Sequence, residues 1–352
     1  MLKRFFKAVG LIVIFSISLC SLYLVNLFLM KPISIDHYLG KNLIVGLVDS
    51  PEAMTYLGFF DGINWLTKHN SKISIPEVGD LEEGIKSSKK SLEMLYRYKD
   101  KSLSHNQKIT KSIAIFDTEN GLRQMEDFPH HDFPLNQIGG DHLNTIGFMS
   151  DMHPIRNISE AEDFIKRTDL IKEKYAGLLH ELELQAESGI YPPVFVFEHV
   201  IKQLNEFINF DLEEHPLYTQ FIKKIGELDI SNEKNESLKA KIEVSINNSV
   251  TPGFELLRDF MIKTKVNANP HHGVWSQPDG DEFYKLKIRS FTTTDYSPEQ
   301  IHQMGLSEVS RISSRMKEIL ISLGYDSSKT VGTIMNELNE DPSFLYADTP
   351  DR

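Results

Sequence analysis

Apolar residues recur along this chain at intervals of three and four, and almost nowhere at intervals of two. That period predicts a mainly α-helical protein. Ser50-Pro51-Glu52 reads as an N-cap, a proline at the first helical position and an acid in the first turn. Met54, Leu57, Phe60, Ile63 and the Trp65/Leu66 pair follow at helical spacing, and a polar break from His69 to Pro76 ends the unit. Asp80 to Lys99 sets Leu81, Ile85, Leu92, Leu95 and Tyr96 among lysines and glutamates, an amphipathic helix with a solvated outer face. Residues 104–127 repeat the pattern behind Ser104 as a cap.

A further helix is predicted to start at Ser159, with Glu162 at the capping-box position, and to run toward Leu184. Others are predicted over 194–207, 217–229 and 236–265. Asn232–Ser237 reads as a polar linker, and Pro252 interrupts the last helix. Ile242–Val250 is the best strand candidate and also reads as a helix. Phe128–Gly140 (FPHHDFPLNQIGG) is a break, because Pro129, Pro134 and the Gly139-Gly140 pair forbid a continuous helix. Its Phe128, Phe133 and Leu135 predict a loop packed against the body.

The first 31 residues differ from the rest. Lys3, Arg4 and Lys7 precede an uncharged run from Ala8 to Met30. As a helix this run is about 34 Å long, enough for a hydrocarbon core of about 30 Å. No small-x-small cleavage site follows it, and Leu19 before Cys20 does not suit a lipoprotein signal. The expectation is an uncleaved signal anchor spanning residues 8–30, with a cleaved signal as the alternative. The basic end then stays in the cytoplasm, and residues from Lys31 onward lie on the extracytoplasmic side, periplasmic or extracellular. The expected domains are 1–31, a cytoplasmic stub and transmembrane helix; 32–46, a linker; 47–346, a helical region; and 347–352, a polar tail.

Composition narrows the classes. With 38 basic and 50 acidic residues the net charge is −12, which argues against a nucleic-acid partner. No GxxxxGK[ST] or GxGxxG motif signals a nucleotide. Cys20 is the single cysteine, so no intrachain disulfide, cysteine-based zinc site or thiol nucleophile is expected in the soluble part.

Candidate chemistry is densest from Gly273 to Met316. Pro278-Asp279-Gly280 reads as a turn, with Phe283, Leu286 and Ile288 as a short apolar element after it. Thr292–Thr294 reads as extended, and Ser297-Pro298-Glu299-Gln300 as a capped helix start. Ile301, Met304, Val309, Ile312, Met316 and Ile319/Leu320 form one stripe of that helix, ending at Gly324 as its C′ residue. His302, Gly305 and Glu308 lie on another. The candidate substrate-cleft residues are Tyr284, Thr293, His302 and Glu308; the alternative is that they are an ordinary helix surface with its ion pairs. No catalytic residue is assigned.

This stretch resembles the signature of the bacterial family called domain of unknown function 885 (DUF885): G-x-x-x-x-P-x-G-x-x-x-Y, a TT pair, then I-H-x-x-G-x-x-E-V-x-R-I. Gly273, Pro278, Gly280, Tyr284, Thr292, Thr293, His302, Gly305, Glu308, Val309, Arg311 and Ile312 occupy its positions. Pro134-Leu135-Asn136-Gln137, Ala161-Glu162-Asp163-Phe164 and Gly189-x-x-Pro192-Pro193 resemble further parts, so the resemblance covers residues 47–346. It implies a helical domain that is part of a larger, zinc-metallopeptidase-like fold. The metal would be held by a C-terminal HE…PGHH-type helix, with two histidines as ligands and a glutamate as general base.

The chain departs from that pattern. Its only His-Glu dipeptide, His180-Glu181, has no second histidine at the required spacing, and His130-His131 and His271-His272 are adjacent pairs. No cofactor or metal site is therefore expected in this chain, and zinc only where the C-terminal half is present. The leading expectation is a membrane-anchored, truncated, substrate-side portion of such a hydrolase, inactive alone, with a peptide-like substrate and a separately encoded C-terminal half as partners. The alternative is a non-catalytic membrane-anchored binding or scaffold protein. A nonmetal hydrolase using His302, Glu308 and Tyr284 is the weakest reading, since no nucleophile motif supports it.

Overall fold

The computed structural model describes residues 2–346, and of residues 2–5 and 8 the backbone only. The polar tail expected at 347–352 lies outside the described residues. Among them there is helix and no strand; one isolated bridge joins Pro193 and Asn269. The chain divides into two units, Met1–Phe283 and Tyr284–Arg352.

In the first unit, α1 (Leu2–Leu29) contains a 21-residue apolar stretch, Val9–Leu29, long enough to cross a membrane. The connection expected at 32–46 is itself helical: α2 (Ile35–Asp49), capped by the Ser34 side chain. It packs with α5 (Asp80–Tyr96) and α6 (His105–Asp127) around Ile35, Tyr38, Leu95 and Tyr98. Between them α3 (Pro51–Leu57) starts on the Ser50 cap, as expected, but stops at Gly58, which adopts φ 66°. The expected continuation to Leu66 is replaced by a 3₁₀ turn and the short α4 (Asn64–Thr67). Met54 is buried, whereas Phe59, Trp65 and Leu66 are exposed.

The main core lies among α7 (Asp141–Gly147), α8 (Ile158–Asp169), α9 (Ile171–Glu187), α10 (Val194–Ile208), α11 (Pro216–Gly226), α12 (Asn232–Ser245) and α13 (Thr251–Thr264). Phe164, Tyr175, Phe197, Phe221 and Phe254 are fully buried in it. The α8 cap is Asn157 rather than Ser159, its side chain accepting from Glu160 N. Asn232–Ser237 is helix rather than linker, starting behind Ser231.

Ile242–Val250 is helical too. Its last five residues form a π turn, which lets the path run into α13 although Pro252 supplies no N–H. The turn presents Ser249, whose hydroxyl donates to Asp169 O and accepts from Lys172 N, pinning the α8–α9 corner.

The second unit holds most of α14 (Gly280–Thr292), then α15 (Pro298–Ser322) and α16 (Val331–Glu340). Thr292 belongs to α14 rather than to an extended segment. The Ser297/Gln300 capping box forms as read from the sequence. At the far end Gly324, at φ 92°, closes α15: Tyr325 N donates to Leu320 O and Gly324 N to Ile321 O.

Candidate functional site

The loop Phe128–Gly140, the corner Gly189–Pro193 and the turn Gly273–Gly280 meet in one place. Phe128, His131 and Leu135 are buried, as expected of a packed loop. His131 Nε2 lies 2.7 Å from Pro278 O, and its ring contacts those of Phe128 and Phe283. Gln185 Nε2, from α9, donates to the carbonyls of His130 and Asp132.

The buried Gln277 amide clamps the corner, donating to Tyr191 O (2.8 Å) and accepting from Tyr191 N (3.3 Å). Asn269 Nδ2 donates to both oxygens of Ser276. On the other side Gln203 donates to Gln137 O and meets His142 Nε2. Burial lowers the pKa of His142, so it stays neutral near pH 7.

Apart from the buried Nδ1 atoms of His131 and His142, which have no hydrogen-bond partner, these groups bond one another and the backbone, so the knot holds residues in place rather than offering reactive ones. What it fixes is the turn from which α14 leaves. Gly280 is required there: a Cβ would lie 1.9 Å from the backbone oxygen of Val274. Gly280→Ala is expected to destabilise by about 2 kcal/mol, the range of a backbone shift forced at a packed turn. The urea midpoint of the full chain in detergent micelles checks this; an unchanged midpoint would refute the role.

The four residues proposed from sequence all lie in the second unit. Tyr284 is half-exposed on α14. Thr293 follows α14 at φ 55°, an uncommon conformation for a β-branched residue. His302 and Glu308 are exposed on α15. No hydrogen bond joins the four to one another among the described residues. Glu308 is held by Arg311, at 2.9 Å to Nε and 2.7 Å to Nη2. Six residues apart on a helix, His302 and Glu308 point about 120° apart and lie about 9 Å apart along the axis. A ligand wrapping the helix could meet both; a compact catalytic pair they are not.

The apolar stripe of α15 is open along much of its length, while Ile301 and Met316 are half-buried and Leu320 is buried. Met304, Val309, Ile312 and Ile319 are between 43% and 64% exposed. Phe291 and Tyr296, flanking the turn before α15, are exposed as well. Periodicity predicted the stripe; its exposure is a finding of the structure.

The histidines do not assemble a metal set. Among the described residues no three His, Cys, Asp or Glu side chains are grouped as metal ligands. His131 is spent on Pro278, and His271 lies against Trp275 whereas His272 lies against Phe195, so that second pair diverges. The residues present do not fit the zinc site that the resemblance implies.

One polar cleft, of about 350 Å³, lies between α3, residues 73–74, α7 and α9. Its charges are already matched: Glu52 accepts from Ser74 N and Oγ, and Lys174 lies 3.3 Å from Asp141. Sequence reasoning missed both this cleft and the amides Gln185, Gln203, Asn269 and Gln277.

A family model described as "Bacterial protein of unknown function (DUF885)" matches residues 51–352. No curated protein matches the chain. Among solved structures, it is similar to the crystal structure of a candidate lipoprotein from Colwellia psychrerythraea, with 25% identity and a TM-score of 0.73. The match covers 88% of this chain and 56% of that one, so the chain spans little more than half of the relative's length.

Proposed function

The chain belongs to the DUF885 family of bacterial proteins, and from that premise we propose that it is the membrane-held, substrate-side portion of a larger zinc-peptidase-like hydrolase. In this reading it lines the cleft for a peptide-like substrate and does no chemistry alone. The observation that carries the proposal is the open apolar stripe of α15, beside the exposed Tyr284, Thr293, His302 and Glu308. A long helix with its apolar face in water favours an occupant. The solved relative carries further polypeptide outside the match, which takes 56% of that chain, and in this reading such polypeptide covers the face. The apolar α1 and the likeness to a candidate lipoprotein support membrane attachment. Zinc, when held by the further polypeptide, would activate water; this chain's part would be to position the scissile segment.

The test uses the full chain in detergent micelles, assayed for zinc by elemental analysis, for turnover of a mixed peptide substrate, and for hydrogen exchange along α14 and α15. The expected outcome is neither stoichiometric zinc nor turnover, with peptide slowing exchange over residues 284–312. Stoichiometric zinc or turnover by the chain alone would overturn the division of labour. Exchange unaffected by peptide would overturn the substrate-side role and favour a scaffold. His302→Ala is expected to weaken the peptide protection several-fold while leaving the melting temperature unchanged, because the ring is exposed. A large drop in melting temperature with protection intact would assign His302 to packing instead.

A further inference from the structure

At the end of α1 the chain builds a groove of about 920 Å³ between one face of α2 and one face of α5. Apolar side chains line part of it: Phe28 and Met30 from the end of α1, Val45 from α2 and Met94 from α5. Four cations also line it, Lys31, Lys41, Lys90 and Arg97, against the single carboxylate of Asp49. That reverses the sign of a chain whose net charge is −12. None of the four has a carboxylate at ion-pair distance among the described residues.

The groove is preformed. Lys31 Nζ donates to Arg97 O (3.1 Å) and lies 4.5 Å over the Tyr98 ring; Lys41 lies 5.2 Å over Tyr38. Tyr38 in turn donates to Ser91 Oγ (3.0 Å), tying α2 to α5.

Its position relative to α1 is also fixed. Asn26 holds the reversal after α1, donating to Lys31 O (2.9 Å) and accepting from Ile33 N (3.0 Å). The chain then doubles back until His37 packs edge-on against Tyr23, with ring centroids 5.5 Å apart. Tyr23 lies six residues before Leu29, about 9 Å along the axis. Tyrosine is enriched near the ends of membrane-crossing helices, where its hydroxyl can reach the headgroups. The first turn of α2 therefore sits beside the last turns of α1, and farther along α2 exposes Leu43, Ile44 and Val48.

We propose that this groove holds an anionic glycerophospholipid of the bilayer that α1 crosses. The phosphate lies among Lys31, Lys41, Lys90 and Arg97, and an acyl chain runs along Phe28, Met30, Val45 and Met94. The bound lipid sets how the domain stands on the membrane. The inference rests on the membrane attachment proposed above.

The experiment places the full chain in nanodiscs of equimolar phosphatidylglycerol and phosphatidylcholine, then ejects it for native mass spectrometry and counts retained lipids. Wild type is expected to retain phosphatidylglycerol with a roughly ten-fold preference, as a cluster of cations near a membrane surface favours anionic headgroups. The double variant Lys90→Gln/Arg97→Gln removes two exposed cations whose side chains make no hydrogen bond or ion pair among the described residues, and the preference should fall to near parity. Equal retention of the two lipids by wild type, or an undiminished preference in the double variant, would overturn the proposal. Alkaline carbonate extraction of the same membranes reads the anchor separately. A chain that washes out yet keeps its lipid preference would sink the membrane-crossing reading and leave the groove standing.

Discussion

Acidifying the full chain from pH 7 to pH 4 is expected to remove about 3 kcal/mol of stability through His215 alone, the free-energy equivalent of its lowered pKa. His215 is 2% exposed, and burial pulls its pKa from 6.5 to about 4. Above pH 6.5 the ring is neutral in both the folded and the unfolded chain and contributes no pH dependence. As the pH falls below 6.5 the unfolded chain takes up a proton that the folded one refuses. Stability therefore declines until about pH 4, where the folded ring also protonates and the loss levels off.

Geometry gives the cause. His215 Nδ1 accepts from Leu217 N (3.2 Å) as the N-cap of α11, so the ring's proton sits on Nε2, which is buried and has no hydrogen-bond partner. A second proton on Nδ1 would abolish the cap and place a charge beside Phe207 and Phe210. Burial also lowers the pKa values of His142 and His153, which steepen the same decline. His215→Asn keeps a capping oxygen and does not titrate. Melting temperatures measured between pH 7 and pH 4 should fall less steeply in the variant. Parallel curves would show that His215 does not carry the effect.

What was legible in the sequence was local. Ser50, Ser104 and Ser297 announced their helices because an N-cap and the N–H donors it accepts from lie within four residues. Gly324 announced a helix end because only a left-handed residue closes that motif cheaply. Where two cap-capable residues stood close together, Asn157 and Ser159, the pattern chose the wrong one. Periodicity also overran Gly58: Phe60, Ile63 and Trp65 keep helical spacing, but spacing states what a helix could bury, not whether it continues.

Long-range partners left no trace. Gln185, Gln203 and Gln277 read as ordinary polar positions, yet each reaches backbone groups more than 50 residues away. The α15 stripe was legible to the same degree. The residues of the α15 stripe were named correctly, and the absence of cover over them could not be, since cover is supplied by whatever packs there.

Arg167 illustrates the same limit with a larger energetic consequence. Nothing in the sequence separates it from the exposed cations of an amphipathic helix, yet it is fully buried on α8. Its Nε donates to Lys72 O (2.5 Å) and its Nη2 to Thr55 Oγ1 (2.9 Å) and to His69 O. The guanidinium stacks 5.2 Å from the centre of the Phe148 ring. No carboxylate lies at ion-pair distance among the described residues, so carbonyl dipoles and the ring face compensate the charge. Burial lowers its pKa to about 10, which still leaves it cationic at neutral pH.

Arg167→Leu would leave the Lys72 carbonyl without its donor and would strip the guanidinium bonds from Thr55 Oγ1 and from the His69 carbonyl, which keeps only Lys72 N, and a hydrophobe does not repair that. At about 1–3 kcal/mol for a buried group left unsatisfied, with two further bonds lost beside it, the expected loss is about 3 kcal/mol. The damage should be directional, because residues 69–72 also carry Asn70, whose carbonyl meets His153 Nε2 (3.1 Å) and whose side chain accepts from Thr55 Oγ1 (2.8 Å). Limited proteolysis of the variant should therefore cut first between Gly58 and Gly79. Arg167→Lys should recover part of the loss, since an ammonium can serve one or two of the acceptors but cannot copy a planar fork reaching three. The urea midpoint of the full chain in micelles reads the energy. A leucine variant within about 1 kcal/mol of wild type would mean that water replaces the guanidinium at these carbonyls, and the cage would then be ordinary packing.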